Sequence, residues 1–143
     1  MKCGLQNIAV GFTGTQKGMT EVQGRGVLRL LKQLSPTSFH HGDCIGADAD
    51  AHDLAVCLNI PIIIHPPTKS SKRAFCHKRS SLVEISVLDE FDYLARNKHI
   101  VNDCLVLIAA PKGMEEELRS GTWSTVRYAR KHKKVVLIVW PFV

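Results

Sequence analysis

The sequence predicts an α/β fold, a Rossmann-like open parallel sheet of about five strands with helices on both faces. Three observations carry that expectation. Short apolar runs alternate with segments of helical spacing along the whole chain, with no internal repeat or low-complexity tract. The two clearest runs, Pro61–His65 (PIIIH) and Cys104–Ala110 (CLVLIAA), are continuous, as in strands buried on both faces. Glycine-containing loops follow several of the runs, where a strand hands over to a helix.

The elements follow in order. Asn7–Phe12 (NIAVGF) reads as a first strand, ended by the polar loop Thr13-Gly14-Thr15-Gln16-Lys17-Gly18. Thr20-x-x-Gln23 is a capping-box pattern opening a helix with Val22, Val27, Leu28, Leu30, Leu31 and Leu34 at roughly helical spacing, stopped by Pro36. Ser38–His41 sits where a second strand belongs, and Ala47, Ala51, Leu54, Ala55 and Leu58 mark a second helix over 46–58, with Asp43 or Asp48 capping or flanking its start. After the third strand the pattern fails between Pro66 and Leu88, which reads as a long functional loop or a loop with a short helix. Asp89–Asn102 is helical again, with Phe91, Leu94, Ala95 and Ile100 or Val101 available to pack. Cys104–Ala110 is a fourth strand, Thr122–His132 a last helix, and Lys134–Trp140 a last strand.

A chain of 143 residues fits one domain spanning 1–143. No apolar run approaches the ~20 residues of a membrane span and the N-terminal segment has no signal-peptide anatomy, so a cytoplasmic protein without a membrane partner is expected. The five cysteines, Cys3, Cys44, Cys57, Cys76 and Cys104, form no C-x-x-C pair, and neither a disulfide framework nor a zinc knuckle is expected. Cys57 and Cys104 read as buried thiols. Cys44 lies in a glycine loop but has no local base to make it a nucleophile. His40 and His41 with Cys44 match no standard zinc spacing, so no metal and no cofactor is assigned. The net charge of +6 favours anionic partners such as nucleotides or nucleic acid.

The chemistry is expected where glycine loops end strands. Gly42, Gly46, Ser120, Gly121 and Thr122 offer backbone N–H groups and hydroxyls to a phosphate, or else make tight strand–helix turns without a ligand. Asp43 and Asp48 suit ribose hydroxyls or a base edge, or cap a helix. Thr13, Gly14, Thr15, Gln16 and Lys17 suit ligand contacts or a solvated turn. Lys69, Lys72, Arg73, Lys78 and Arg79 could track a polyanion or close over a small ligand, or form a solvated face. Trp123 could stack on a base but reads better as core.

Four of these segments in order resemble the SMF/DprA–LOG (SLOG) superfamily of Rossmann-like proteins: Gly11-Phe12-Thr13-Gly14, the G-x-x-x-G-A-D stretch Gly42–Asp48, the pair Arg96-Asn97, and the S-G-T-W-x-T stretch Ser120–Thr125. The chain is similar to its small stand-alone domains. The resemblance implies a nucleotide or nucleotide-derived ligand held across the strand C-termini by Thr13, Gly14, Thr15, Gly42, Asp43, Gly46, Ala47, Asp48, Arg96, Asn97, Ser120, Gly121, Thr122 and Thr125, with a homo-oligomer common. Two further functions are implied by branches of the superfamily. One is phosphoribohydrolase cleavage of nucleoside monophosphates, whose motif P-G-G-x-G-T-x-x-E ends in a catalytic glutamate; Thr125 stands there in this chain, and Glu115, Glu116 or Glu117 could substitute only if their loop folds back. The other is DprA-like binding of single-stranded nucleic acid.

Overall fold

The structure, a computed structural model, describes residues 7–79 and 82–143. Cys3 therefore lies outside the described residues. Six parallel strands form one sheet, β1 (Ala9–Gly14), β2 (Ser38–His41), β3 (Ile62–Ile64), β4 (Ile85–Val87), β5 (Val106–Ala110) and β6 (Val135–Ile138), in the order β4-β3-β2-β1-β5-β6. Helices α1 (Glu21–Leu34) and α2 (Ala47–Cys57) pack together on one face, and α3 (Tyr93–Asp103) and α4 (Gly121–Lys131) on the other. The architecture is the expected one with a sixth strand. β4 is only three residues long, half exposed at the sheet edge and centred on Ser86, too short to generate a periodic signal. Two 3-10 turns, Ser70–Lys72 and Cys76–Lys78, lie within the stretch read as a loop.

Strand alternation divides the core. Val10, Phe12, Phe39, Ile62, Ile64 and Ile108 turn toward α1 and α2, where they meet Val27, Leu31, Ala51 and Ala55. Leu107 and Ala109 turn toward α3 and α4 and meet Ile100, Val101, Trp123, Val126 and Ala129. Trp123 is core as expected, packed against Trp140 at 5.8 Å between ring centroids.

The capping box of α1 is present: Thr20 Oγ1 accepts from the Gln23 amide, and Gln23 Oε1 accepts from the Thr20 amide. The same Gln23 is buried, and its Nε2 donates to the carbonyls of Pro111 and Val139, fastening the ends of β5 and β6 to α1. Three expectations need correction. Helix α3 begins at Tyr93, because Asp92 caps it by accepting from the Ala95 amide. Phe91 and Leu94 are exposed, and the helix instead buries Arg96 beside Ile100 and Val101. Cys57, at the end of α2, is exposed, whereas Cys104 is buried.

Gly46 is where α2 meets the first loop. It has φ of +90°, and a Cβ there would overlap the Gln16 carbonyl and stand 2.7 Å from the Thr15 oxygen. Gly24, inside α1, has open space around it. Denaturant unfolding should therefore show Gly46→Ala losing about 2–4 kcal/mol, while Gly24→Ala gains about 0.5–1 kcal/mol.

Candidate functional site

The strand order reverses between β1 and β5, so the crossovers diverge there and leave a crevice beyond the strand C-termini. A cavity of about 290 Å³ opens at that point. The β1 loop supplies Thr13, Gly14, Thr15, Gln16 and Lys17, and Asp48 and Cys44 reach it from the loop before α2. Tyr93 and Asn97 come from α3; Lys112, Glu117 and Arg119 come from the loop after β5; Ser120, Gly121 and Thr122 begin α4. The two glycine loops therefore meet at one rim.

They differ in what they can offer. At α4 the Ser120 hydroxyl caps the helix by accepting from the Trp123 amide at 3.2 Å. Among the described residues, the Gly121 and Thr122 amides meet no acceptor, as the first turn of a helix requires. They end at the cavity with the positive end of the α4 dipole. Lys17, Lys112 and Arg119 stand around them; Lys112 also reaches Glu117 at 3.4 Å. The 115–117 loop does fold back far enough to bring Glu117 to the rim.

The 42–48 loop has its amides already engaged. Gly42 and Cys44 donate to Asp48 Oδ2 at 3.2 and 3.1 Å, Asp43 donates to His41 Nδ1, Ile45 to the Lys72 carbonyl and Ala47 to the Thr15 carbonyl. The Asp48 carboxylate occupies the place among these donors that a phosphate would take. Gly42, Gly46 and Ala47 are thus loop-builders set back from the cavity, which Cys44 and Asp48 line from this loop. Burial pushes the Asp48 carboxyl up to about 6, against the opposing pull of Arg96 and the two amides. Burial likewise raises the Cys44 thiol to about 11, with Asp48 adding to it, which leaves no thiolate for nucleophilic attack at neutral pH.

Asp43 and Arg96 are also set back. Asp43 is fully buried in a left-handed conformation, with φ of 58°. It accepts from Arg73 Nε at 2.6 Å and from the Cys76 amide at 2.9 Å. Burial pushes its carboxyl up, but Arg73 and the Cys76 amide outweigh this and hold it below the usual carboxylate value. Arg96 is buried, with Nη1 donating to the carbonyls of Gly42 and His65, Nη2 to Cys44 Sγ and Nε to Asn97 Oδ1. It orients Asn97 and the loop, with its donors directed at protein groups. Thr125 is buried, and its hydroxyl donates to the Gly121 carbonyl inside α4.

The basic stretch is partly spent inside the protein. Arg73 bridges Asp43 and Glu90, Arg79 pairs with Asp53 at 2.7 Å, and Arg73 and Lys78 both lie against the Phe75 ring, 4.6 and 4.7 Å from its centroid. Tyr93, Lys112 and Arg119 are the lining residues that sequence reasoning did not assign to the site. The Tyr93 hydroxyl lies so close over Gly121 that a Cβ there would overlap it. The single signal pointing toward Tyr93 is the Asp92 cap that begins α3 one residue earlier.

No protein-family model and no curated protein matches the sequence. Solved structures do match the fold. A molybdenum cofactor binding protein from Rippkaea orientalis superposes with a TM-score of 0.68 at 20% identity, over 94% of this chain and 77% of that one. The Moco carrier protein of Chlamydomonas reinhardtii gives 0.67 at 22% identity, over 94% and 76%. DNA processing protein A (DprA) of Streptococcus pneumoniae gives 0.68 at 18% identity, and there this chain, covered over 92%, spans only 50% of the partner structure. This chain shares its fold with these proteins.

Removing the Arg73 guanidinium would leave Asp43 buried and unpaired. Arg73→Ala should lower the unfolding free energy near neutral pH by about 3–5 kcal/mol, with Arg73→Ala/Asp43→Asn recovering part of it. The Asp43 carboxyl is held below its unfolded value. Its stabilisation is therefore present above pH ~4 and lost as pH falls through the native value, and chemical denaturation across pH 2–7 should show the wild-type advantage disappearing at the acid end.

Proposed function

We propose that this chain is a binding protein for a small anionic ligand of nucleotide or nucleotide-derived type, held over the β1–β5 crevice. The observation that carries the reading is the convergence of the unengaged Gly121 and Thr122 amides with Lys17, Lys112 and Arg119 on one cavity. That is a phosphate-sized concentration of positive charge and donors at a helix N-terminus. Thr13, Thr15 and Asn97 supply neutral donors and acceptors beside it, suited to a sugar or base edge. The volume of about 290 Å³ lies at the small end of ligand pockets, about 300–1,000 Å³, which fits a mononucleotide-sized guest.

Two structural neighbours are described as binding or carrying a cofactor, which favours retention of a ligand over its cleavage. The cleavage reading lacks its glutamate, since Thr125 is turned into α4. Carboxylates are nonetheless present at the cavity in Asp48 and in Glu117, whose loop folds back to the rim, so base release from 5′-monophosphates is a necessary control. The neighbours also include a DprA described by its single-stranded DNA binding mode. For this chain the pairing of Arg73 and Arg79 within the protein weakens a strand-tracking role for the 69–79 stretch.

Thermal-shift and calorimetric titration with a panel of mononucleotides should identify at least one saturable ligand. Gly121→Ala displaces only the tip of the Tyr93 side chain, so it should fold with a loss under about 1 kcal/mol yet bind at least about tenfold more weakly. No binding across the panel, or unchanged affinity in Gly121→Ala, would overturn the reading. Release of free base would convert it to the enzymatic one. Length-dependent, steeply salt-sensitive binding to oligonucleotides would convert it to the nucleic-acid one.

The Asp48 carboxylate faces the same anion. With its native value raised to about 6, it is ionised at pH 7.5 and protonated at pH 5, so an anion is repelled less on acidification. Affinity for a nucleotide should rise by about threefold to tenfold over that interval, and Asp48→Asn should flatten the part of the profile that the ligand's own phosphate does not explain. The same sign governs stability: ionised Asp48 costs the fold free energy, a cost absent below about pH 4 and complete above about pH 6.

A further inference from the structure

A second cavity of about 270 Å³ lies away from the crevice, between the ends of β3 and β4 and helix α3, and is lined in part by His65, Asp89, His99 and Asp103. Behind it His40 and His65 are in contact. His40 Nδ1 and His65 Nε2 are 2.8 Å apart, and His65 Nε2 is 3.9 Å from Asp103 Oδ2. One nitrogen from each histidine and one carboxylate oxygen of Asp103 all fall within 4.8 Å of one another. We propose that His40, His65 and Asp103 form a binding site for a divalent transition-metal cation of zinc type, opening into this second cavity.

The ligand set and its spacing support the assignment. Donors at about 2.0–2.1 Å from a tetrahedral zinc ion stand about 3.3 Å from each other, and the observed separations lie on either side of that value. Two imidazoles and a carboxylate are borderline donors that suit zinc, cobalt or nickel rather than calcium or magnesium. Ser38 Oγ lies 3.1 Å from His40 Nε2, the far nitrogen, where an outer partner fixes the tautomer of a ligating imidazole. Asp103 is half exposed and the cavity is open beside it, so a cation can enter and keep a further position for water or an anion.

The proton balance is simple. One proton now lies between His40 Nδ1 and His65 Nε2, so one ring donates to the other. On metal binding that ring moves its proton to its other nitrogen. Each imidazole then carries one N–H and ligates through the second nitrogen, and no proton is lost. Arg96 also borders the cavity and opposes a cation, whereas Asp89 and Asp103 face it with negative charge.

A competing cluster exists on the opposite face of β2, where His41, His52 and Cys76 lie within the same limit. All three are buried, and none lines either cavity. The two clusters differ in one ligand that spectroscopy separates, since the competing one contains sulfur.

The test uses the full chain without an affinity tag, titrated with Co²⁺ and then with Zn²⁺ in competition. The expected result is one equivalent of Co²⁺ with ligand-field bands in the visible and no sulfur-to-cobalt charge-transfer band. Asp103→Asn should weaken it by about tenfold or more, His65→Gln should abolish it, and Cys76→Ser should leave it unchanged. Asp103 makes no short contact, so its variant keeps the test valid if His65→Gln does not fold. Absence of saturable binding, equal affinity in wild type and Asp103→Asn, or a sulfur band removed by Cys76→Ser would each overturn the proposal.

Discussion

The arrangement of the crevice depends on a buried pair of opposite charges, Asp48 and Arg96, that do not touch each other directly but hold the same loop from two sides. Asp48 gathers the amides of Gly42 and Cys44, and Arg96 takes the Gly42 and His65 carbonyls and the Cys44 sulfur. Between them they satisfy the Gly42 and Cys44 amides and the Gly42 carbonyl, while His41, Lys72 and Thr15 take the amides of Asp43, Ile45 and Ala47. Gly42 must be glycine for that reason, because a Cβ would lie 2.7 Å from the Arg96 guanidinium carbon. The pair fixes β2 to α3, and α3 in turn carries Tyr93 and Asn97 to the cavity wall. Burying two charges gains little net stability. What it supplies here is one loop geometry among the several that a Gly-x-x-x-Gly segment could adopt.

An internal carboxylate in a ring of amides also decides which glycine loop can receive a ligand. Both loops precede a helix, and on dipole grounds alone both would attract a phosphate. Asp48 is part of the first helix and satisfies that attraction within the chain. At α4 the corresponding cap is the neutral Ser120 hydroxyl, which engages only the Trp123 amide and leaves two donors facing the crevice. The asymmetry is one of charge, not of backbone shape.

Much of this was legible before the coordinates, and the failures have physical causes. The continuous runs at β3 and β5, the capping box at Thr20 and the strand–helix alternation gave the layers, because burial on both faces and end-capping are local properties of a sequence. β4 was lost because three residues at an edge carry no period. Phe91 and Leu94 were misplaced because their spacing fits a buried face, while α3 turns Arg96, Ile100 and Val101 inward instead. The positions of the glycine loops were readable, since the topology sends both to one edge. Their different occupancy was not. Whether Asp43 or Arg96 meets a ligand or the protein depends on partners 31 to 54 residues distant for Arg96 and 30 to 33 for Asp43, and no spacing rule encodes those.

The same reasoning constrains the guest. A nucleoside triphosphate would need donors extending along a chain of phosphates, as a longer glycine-rich loop provides. Here the unengaged amides are confined to the first turn of α4, and the nearest alternative nest is filled by Asp48. Further phosphates directed toward α2 would meet that carboxylate at close range, ionised at neutral pH. In the proposed mode a phosphate near α2 is opposed by Asp48 and one near Lys112 shares that ammonium with Glu117, whereas a single terminal phosphate at Gly121 and Thr122 meets donors that no internal pairing among the described residues uses. The proposed binding mode therefore favours a ligand with one anionic group, with the Tyr93 hydroxyl above Gly121 bounding the space left for the remainder.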